Sequence, residues 1–362
     1  MSEVSPDNGQ VAFSGGPEEL ARANLWLRTA DRVWIKMGDF SASTFDELFE
    51  GTRALDWPAY LPRNAEFPVT GFSVKSQLSS VPACQKIVKK AAVEKLRAKY
   101  RMEWFPEDGA PFPIRFNLIK DHCTVLLDTS GTGLHRRGYR TYNAEAPLRE
   151  TLAAGLVLLS YYNKDRLLYD PMCGSGTILL EAAMIALSRA PGLRRTFASE
   201  RWPFLGEAPW KAARDQAAEL FDRTSQLQLF GSDADGRVLD LARTHLTQAG
   251  LDERGIHFQK REVEDFSSKK QYAVVITNPP YGYRQGELEE VEELYRQLGR
   301  LFTNETWSLY FLTSHPDFAR LFGHGQPRKR KLYNGKLACT YYQYPGPRPP
   351  GPKRPKAAAH EG

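Results

Sequence analysis

The stretch Leu167-Leu-Tyr-Asp-Pro-Met-Cys-Gly-Ser-Gly-Thr-Ile-Leu-Leu-Glu181 reads as a short apolar strand, a tight glycine turn and an apolar helix. Gly174 and Gly176 lack side chains, so a ligand can lie directly against the backbone of this turn. The helix that follows directs its unpaired N–H groups back toward the turn. The stretch therefore predicts a ligand site where a strand meets a helix in an α/β fold.

The charge of the strand end narrows the class of ligand. Asp170 places a carboxylate at the mouth of the predicted site, where it would repel a phosphate and attract a cation. S-adenosylmethionine fits this requirement, because it carries an ammonium and a sulfonium group as well as a carboxylate. Cys173 also lies in the turn, but no histidine is placed beside it in sequence, so we interpret it as a small turn residue rather than a nucleophile.

Length and composition are those of a globular protein. The chain has 362 residues, of which 41% are hydrophobic and 25% charged, which is enough for two domains. Its first residues are polar and acidic, unlike a secretory signal, and it has no apolar run of membrane-spanning length. Four scattered cysteines without a C-x-x-C pair argue against a zinc site and favour a reducing cytoplasm. The net charge of +6 favours a polyanionic partner only weakly.

The N-terminal half contains a long helix with a basic face. Apolar residues recur at helical spacing from Val81 to Tyr100, and the opposite face carries lysines that include Lys86, Lys89 and Lys90. Two interpretations stay open for this face, a solvated helix surface or a surface that binds RNA phosphates. A hairpin is predicted next, from strands 113–119 and 123–128 with its turn at Lys120-Asp121.

The segment Gly131–Arg140 is dense in glycine and arginine. An arginine guanidinium binds a phosphate through two hydrogen bonds, and a tyrosine ring stacks on a base, so the segment could contact nucleic acid. A junction loop between domains has the same composition, so both interpretations stay open. The candidate RNA-binding residues here are His135, Arg136, Arg137, Tyr139 and Arg140.

The region after the glycine-turn helix carries a long aromatic insertion. Pro191-Gly192 ends the helix, and residues up to about 226 include Phe197, Trp202, Phe204 and Trp210. Trp202, Phe204 and Trp210 are interpreted either as stacking on RNA or as core packing. The insertion also explains why Asp233 follows the glycines by more than the about 20 positions usual for a ribose-binding carboxylate.

The second half alternates strands with helices, which predicts a mostly parallel sheet. Asn278-Pro-Pro-Tyr281 follows an apolar strand there, at the edge where parallel sheets present ligand-binding residues. The Asn278 side-chain oxygen and the Pro279 carbonyl accept hydrogen bonds, so together they orient the flat amine of a nucleobase toward a methyl donor. Tyr281 offers a ring for the base to stack on. A final hairpin is predicted to turn at Asn334-Gly335.

Several motifs together resemble the bacterial RNA guanine-N2 methyltransferases that carry a THUMP domain, and most of all the group that acts on 23S ribosomal RNA. The likeness extends from Ala23 to Tyr344 and rests on DPMCGSGTILLEAA, FGSDAD, TNPPYGYR, LHRRGYR and LYNGKLACTYYQY. NPPY alone is shared with adenine-N6 DNA methyltransferases and with the glutamine methyltransferases of release factors. The specific part of the resemblance is LHRRGYR together with the N-terminal half.

The resemblance implies a Rossmann-like class I methyltransferase domain with a mostly parallel seven-stranded sheet, preceded by an α+β ferredoxin-like and THUMP region that binds RNA. It implies that Asp233 binds the ribose of S-adenosylmethionine, that Asp265 contacts the adenine, and that a flipped guanine lies at Asn278 to Tyr281. The expected catalytic residues are Asn278, Pro279, Pro280 and Tyr281. The expected cofactor-binding residues are Asp170, Pro171, Met172, Cys173, Gly174, Gly176, Thr177, Asp233, Asp265 and Asn278. No metal is expected.

The same resemblance predicts the domain order. It gives a partial ferredoxin-like region (1–60), a THUMP domain (61–130), a linker (131–145), a methyltransferase domain (146–345) and a disordered basic tail (346–362). Family members usually open with a further strand and helix, so the ferredoxin-like region is expected to be incomplete. Some relatives carry a second methyltransferase domain, which is not expected here.

Three other functions remain as alternatives. Guanine-N2 methylation of tRNA is one, because THUMP domains in other families recognise the acceptor end of tRNA. A non-enzymatic RNA-binding or ribosome-assembly factor is the second, and the intact NPPY argues against it. A protein glutamine methyltransferase is the third, and the basic N-terminal half argues against it. Partners are thus expected to be RNA, with no membrane.

Overall fold

The computed structural model describes residues 2–7, 9–140, 148–252, 254–282 and 287–350. Its contacts divide the chain into two compact units. The first contains Met1–Gly138 and Ala190–Phe221, and the second contains Tyr139–Arg189 and Asp222–Gly362. Among the described residues, no helix is both long enough and apolar enough to cross a bilayer. Most of the predicted tail lies outside the described residues.

The secondary structure alternates strands and helices along most of the chain. The strands are β1 (Ser2–Asp7), β2 (Gln10–Ser14), β3 (Trp34–Ser41), β4 (Val69–Val74), β5 (Ile114–Ile119), β6 (His122–Asp128), β7 (Leu168–Asp170), β8 (Leu229–Asp233), β9 (Ile256–Lys260), β10 (Val274–Thr277), β11 (Ser308–Thr313), β12 (Arg328–Asn334) and β13 (Leu337–Tyr344). The helices are α1 (Pro17–Trp26), α2 (Phe45–Ala54), α3 (Trp57–Tyr60), α4 (Val81–Tyr100), α5 (Glu150–Leu158), α6 (Thr177–Ala186), α7 (Ala208–Glu219), α8 (Gly236–Ala249), α9 (Glu287–Leu301) and α10 (Phe318–Phe322). Short 3-10 turns lie at Ala198–Arg201 and Val263–Asp265.

A four-stranded sheet with order β3-β6-β5-β4 is the centre of the first unit. Helices α2 and α4 share its apolar core, to which α4 contributes Cys84, Val88 and Leu96. Both predictions for this part of the chain are confirmed: α4 has the predicted bounds, and β5 and β6 form the predicted hairpin. The positive φ angles of Lys120 (51°) and Asp121 (59°) suit the tight turn between these two strands.

The aromatic insertion folds as part of the first unit. Trp202 is fully buried, stacks on Phe112 with ring centroids 4.7 Å apart, and donates its indole N–H to the Pro111 carbonyl at 2.8 Å. Phe197 and Trp210 are also buried and stack on each other. Core packing is therefore the correct interpretation for Trp202 and Trp210, and Phe197 is a core ring beside them. Phe204 differs, because it remains 38% exposed.

The second unit is built on a seven-stranded sheet with order β12-β13-β11-β10-β7-β8-β9. Strands β11, β10, β7, β8 and β9 are parallel, and β13 and β12 continue the sheet as an antiparallel hairpin. The predicted fold class is thereby confirmed. β7 is the central one of the five parallel strands and lies between β10 and β8. The glycine turn that follows it therefore opens at the centre of the carboxyl edge of these strands.

Local signals predicted some elements correctly and missed another. The last hairpin is confirmed, because β12 and β13 pair antiparallel on either side of Asn334-Gly335. The hairpin of β1 and β2 was not predicted. The sequence between these two strands is Asn8-Gly9, the same dipeptide signal that predicts the last hairpin.

Candidate functional site

A cavity of about 490 Å³ lies at the carboxyl edge of the parallel strands in the second unit. Its walls come from the segments that follow four neighbouring strands, β7, β8, β9 and β10. Side chains at this edge of a parallel sheet converge on one crevice, because all of these strands end there. The glycine turn and the NPPY segment therefore face the same space, although they are about a hundred positions apart in sequence.

The two glycines of the turn play different roles. Gly174 lines the cavity, has φ of +53°, and a Cβ added there would meet no protein atom within 4 Å. Gly176 has φ of +79° and begins α6, but a Cβ there would lie 2.9 Å from Phe258 Cζ and 3.2 Å from Ala242 Cβ. Gly174 thus leaves room for a ligand, whereas Gly176 allows the turn to pack closely on protein.

Asp170 is a buried carboxylate that faces the cavity. It is 1% exposed, and its Oδ1 has no hydrogen-bond partner of good geometry among the described residues. Burial raises the pKa of Asp170 to about 7, and the nearby Thr277 hydroxyl and Met172 N–H offset this rise only in part. An unsatisfied buried oxygen costs free energy, which a ligand that donates a hydrogen bond or brings a positive charge would recover.

Asp233 holds the glycine turn in place. Its Oδ2 accepts a hydrogen bond from the Gly174 N–H at 2.9 Å, and its Oδ1 accepts one from the Asp235 N–H at 3.1 Å. The Cys173 N–H binds the Ser232 carbonyl at 2.9 Å, which ties the turn to β8 a second time. Burial raises the pKa of the Cys173 thiol well above its ordinary value, so this side chain is a neutral turn residue and a poor nucleophile.

The segment that follows β9 forms another wall of the cavity. Arg261, Glu262, Val263 and Glu264 line the cavity, whereas Asp265 does not. Asp265 is exposed and ends a 3-10 turn. The adenine contact that the resemblance implies for Asp265 stays a prediction.

The NPPY segment closes the cavity beyond β10. Asn278 and Pro280 line it, whereas Pro279 and Tyr281 do not. The Tyr281 hydroxyl donates a hydrogen bond to Asn278 Oδ1. An amide oxygen has two lone pairs, so one acceptor site of Asn278 remains for a second donor.

Tyr295 of α9 anchors this segment from behind. It is fully buried, and its hydroxyl donates to the Pro280 carbonyl at 2.7 Å and contacts Thr313 Oγ1 at 2.9 Å. The contact joins the end of NPPY to the end of β11. Two prolines and this hydrogen bond together restrain the backbone on which Asn278 sits.

The cavity brings together most of the predicted cofactor residues and half of the predicted catalytic ones. Those that line it are Asp170, Pro171, Met172, Cys173, Gly174, Thr177, Asp233, Asn278 and Pro280. Those that do not are Gly176, Asp265, Pro279 and Tyr281. Sequence reasoning missed several lining residues, which include Leu148, Ser175, Ile178, Ala234, Val238, Arg261, Val263, Glu264 and Leu294. The residues after β9 follow the same strand-end rule that identified Asn278, whereas Leu148 and Leu294 have no such signal.

The predicted RNA-binding lysines of α4 divide into two groups. Lys86 and Lys90 are exposed. Lys89 is half-buried and already has partners, because its Nζ lies 2.7 Å from Glu107 Oε2 and 3.0 Å from the Phe67 carbonyl. It also lies 3.7 Å from the centre of the Phe67 ring. Lys89 therefore stabilises the first unit, and only its neighbours are available to a partner.

Two neighbouring arginines of the arginine-rich segment differ in exposure: Arg137 is buried in the first unit, whereas Arg136 lies on its surface. Arg137 is 2% exposed and donates to the carbonyls of Leu134 at 2.9 Å and Arg28 at 2.5 Å. Arg136 is exposed, and His135 is half-buried. Burial of Arg137 argues against its contact with RNA.

Tyr139 and Arg140, in the second unit, are also internal. Tyr139 is buried with its ring centroid 6.0 Å from that of His245. Arg140 donates to Thr177 Oγ1 at 2.6 Å and pairs with Glu150 at 3.3 Å. Arg140 thus fixes the start of α6, next to the cavity, and neither residue is placed to contact RNA.

Three family descriptions match this chain. Residues 137–343 match "RMKL-like, methyltransferase domain", residues 42–128 match "THUMP domain", and residues 1–34 match "RlmL ferredoxin-like domain". The first match covers the part of the chain that builds the cavity. The third begins at the hairpin of β1 and β2.

The chain is also similar to individual proteins over nearly its full length. It is 46% identical to "Putative RNA methyltransferase YpsC" of Bacillus subtilis, over 94% of this chain and 89% of that protein. The solved structure described as "SMU.472, a putative methyltransferase complexed with SAH" is 43% identical with a TM-score of 0.91, and the match covers 96% of this chain and 93% of that one.

A third relative is longer. "Ribosomal RNA large subunit methyltransferase K/L" of Psychromonas ingrahamii is 33% identical over 93% of this chain, but the match spans only 46% of that protein. The family matches, the cavity at the strand ends and the sheet order agree with one another. The chain therefore belongs to the family of proteins that join a THUMP domain to an RMKL-like methyltransferase domain.

Proposed function

We propose that this protein transfers a methyl group from S-adenosylmethionine to the exocyclic N2 amine of a guanine in 23S ribosomal RNA. One observation carries the proposal: the asparagine of NPPY and the glycine turn line the same cavity. The relative named for the large ribosomal subunit supports the choice of RNA. The relative solved with S-adenosylhomocysteine supports the choice of cofactor.

The residues of the cavity fit this cofactor. The unsatisfied Oδ1 of Asp170 suits the ammonium or sulfonium charge, and the open space over Gly174 admits a ligand against the backbone. Val263 offers an apolar contact for an adenine ring, and Glu264 a carboxylate for its amine. When bound, S-adenosylmethionine supplies an electrophilic methyl group on a good leaving group.

The chain's own residues then have to position the target amine. Asn278 Oδ1 keeps one acceptor site beside the Tyr281 hydroxyl, and this site holds one N–H of the amine in our proposal. The Pro279 carbonyl, which the sequence predicts as a second acceptor, does not line the cavity, so the proposal relies on Asn278. An acceptor on the N–H group restrains the rotation of the amine and so directs its lone pair toward the methyl donor, and this positioning supplies most of the rate. No general base is required among the residues that line the cavity.

Cofactor affinity is expected to rise with pH between about 6 and 7.5, because the pKa of Asp170 in the free protein is raised to about 7. A cationic ligand favours the ionised carboxylate, so binding below pH 7 must displace a proton. Affinity is expected to change by up to about tenfold per pH unit below the pKa and to level off above it. Isothermal titration calorimetry in buffers of different ionisation enthalpy measures both affinity and released protons.

Asp170→Asn is expected to weaken binding at pH 8 and to abolish this pH dependence. The control is Asp165→Asn, which changes an exposed carboxylate near the start of β7 and leaves binding as in the wild type. A second consequence concerns the protein without ligand. Because the folded pKa exceeds the ordinary 3.8, the free energy of unfolding falls as pH rises from about 4 to about 7, and Asp170→Asn removes this slope. A pH-independent affinity in the wild type would contradict the role given to Asp170.

Mass spectrometry of rRNA and tRNA nucleosides from a strain that lacks this gene tests the substrate. Loss of N2-methylguanosine from 23S rRNA, and its return on complementation, supports the proposal. Loss from tRNA alone would exclude the ribosomal substrate and favour the tRNA alternative. Methyl incorporation that RNase treatment leaves unchanged would instead favour a protein substrate.

A further inference from the structure

Strand β12 presents a run of cations at one edge of the second unit's sheet. Arg328, Lys329, Arg330 and Lys331 are all exposed, and β12 is the outermost strand, paired only on its β13 side. Successive side chains of a strand point to opposite faces, so the run places positive charge on both sides of the edge. None of these residues was assigned to RNA binding by the sequence.

The four cations of β12 form no ion pair with the described residues, because no carboxylate in that part of the chain lies within ion-pairing distance of any of them. Lys329 lies 5.5 Å from the ring centre of Tyr342, and Lys331 lies 5.5 Å from that of Tyr333. The two arginines of helix α9 differ, because Arg296 and Arg300 pair with glutamates of the same helix. The charge of β12 is therefore not compensated by ion pairs with the described residues.

The strand pairing places this edge near the candidate site. Thr313, the last residue of β11, is opposite Thr340, and Lys331 is opposite the same Thr340 from the other side. One residue further along β13, Cys339 Sγ lies 3.9 Å from the Tyr281 hydroxyl of NPPY. The end of β12 that carries Lys331 and the hairpin tip thus lies at the carboxyl edge of the sheet, beside the segment that holds the target base in our proposal.

Charges on an edge strand also have a simpler use, since they discourage pairing with the edge of another molecule. The strand at the other edge of this sheet, β9, carries a single lysine, Lys260, and no run of cations. Protection of an edge strand therefore does not require four successive cations. β12 has four in succession, and its tip adds Tyr333, which is 57% exposed and available for stacking. Protection of the edge explains neither the excess of charge nor the exposed ring.

We infer that the hairpin of β12 and β13 is a second RNA-binding surface, which contacts the phosphates of nucleotides that flank the target base. The inference rests on the proposed function, because it assumes that the base enters beside NPPY. Arg328 to Lys331 bind the RNA backbone, and Tyr333 stacks on a neighbouring unpaired base. This surface belongs to the catalytic unit, so it aligns the strand at the site of chemistry independently of the α4 face.

The triple variant Lys329→Gln/Arg330→Gln/Lys331→Gln tests the inference in the full-length protein. The matched control is Lys164→Gln/Lys269→Gln/Lys270→Gln. It removes three exposed lysines that precede β7 and β10 and therefore lie at the amino ends of the parallel strands, away from the candidate site. The probe is a fluorescein-labelled stem-loop RNA of arbitrary sequence, because phosphate contacts do not depend on sequence. Anisotropy titrations between about 50 and about 200 mM salt give both affinity and its salt dependence.

We expect the hairpin variant to bind RNA at least about tenfold more weakly and to lose about two units from the slope of log affinity against log salt. The control variant is expected to stay within about twofold of the wild type. Equal losses in both variants, or no loss in either, would overturn the inference. If the triple variant fails to fold, Lys331→Gln alone tests the inference, and we expect its RNA affinity to fall by about twofold to threefold. An RNA affinity equal to that of the wild type would then overturn the inference.

Ultraviolet cross-linking gives an independent readout. Cross-links to the tryptic peptide Leu332–Lys336, which contains Tyr333, are expected, and cross-links confined to peptides of the first unit would overturn the inference. A changed oligomeric state of the triple variant with unchanged RNA affinity would identify β12 as a protein contact and also overturn it. Failure of the proposed function would appear differently, as a methylated product other than N2-methylguanosine while the binding results stand.

Discussion

Replacing Asn278 by alanine is expected to lower the rate of methyl transfer by about a hundredfold to a thousandfold. Cofactor affinity is expected to fall far less, by about twofold to fivefold, because the other predicted cofactor residues of the cavity remain. The side chain is an acceptor at the end of β10 that faces the cavity, and its loss frees the target amine to rotate. Effects of this size are typical when one group that orients or stabilises the reacting atoms is removed. Single-turnover methylation of RNA and calorimetry with S-adenosylhomocysteine measure the two quantities separately.

Two controls make this result specific. Asn163→Ala removes an asparagine whose Oδ1 caps a turn before β7 by accepting the Asp165 N–H at 3.0 Å, and it is expected to leave turnover unchanged. Tyr281→Phe removes the hydroxyl that binds Asn278 and keeps the ring. The rate of Tyr281→Phe is expected to fall much less than that of Asn278→Ala. Unchanged turnover in Asn278→Ala would refute the role assigned to this residue, and equal losses in both variants would assign the effect to their mutual hydrogen bond.

Local periodicity was sufficient to predict elements that bury one continuous face. The bounds of α4 follow from apolar residues at helical spacing, which become the buried positions Cys84, Val88 and Leu96. The parallel sheet and its carboxyl-edge cavity follow from the alternation of strands with helices. These features depend on residues near in sequence, or on a rule of topology that holds for every parallel sheet.

Roles that depend on distant neighbours were not available from the sequence. Gly174 and Gly176 look alike in the turn, and only the positions of Phe258 and Ala242 show that Gly176 is a packing residue. The family resemblance implies an adenine contact for Asp265, and only the structure shows that Glu264 lines the cavity whereas Asp265 does not.

Charge and aromatic content are equally ambiguous until partners are known. Lys89 has the same spacing on α4 as its exposed neighbours, but Glu107 lies across from it and forms an ion pair. Trp202 stacks on Phe112, which is ninety positions away, so the sequence cannot distinguish this core ring from one that binds RNA. In both cases the deciding contact is made by a residue outside the local element, 18 positions away for Lys89 and 90 for Trp202.

The glycine turn offers a comparison in which two similar substitutions have different effects. Gly174→Ala is expected to weaken cofactor binding by roughly tenfold to a hundredfold, since its Cβ projects into open space at the cavity wall. Its φ of +53° adds only about 1–2 kcal/mol of backbone strain to the folded protein. Gly176→Ala is expected to lower the free energy of unfolding by about 2–4 kcal/mol, because its Cβ adds a contact of 2.9 Å with Phe258 to the same strain.

Thermal melts with and without S-adenosylhomocysteine separate the two effects. Gly174→Ala should melt close to the wild type without ligand and lose most of the ligand-dependent rise, because that rise reports affinity for the folded state. Gly176→Ala should melt lower without ligand, yet gain a ligand-dependent rise similar to that of the wild type at the same excess of ligand. The double variant Gly176→Ala/Phe258→Leu, which shortens the contacting ring, should recover part of the lost stability. A Gly174→Ala protein that binds the cofactor as tightly as the wild type would show that the cofactor does not lie against this turn. The proposed reaction would then lose its site, because the asparagine of NPPY faces the same cavity and would have no methyl donor beside it.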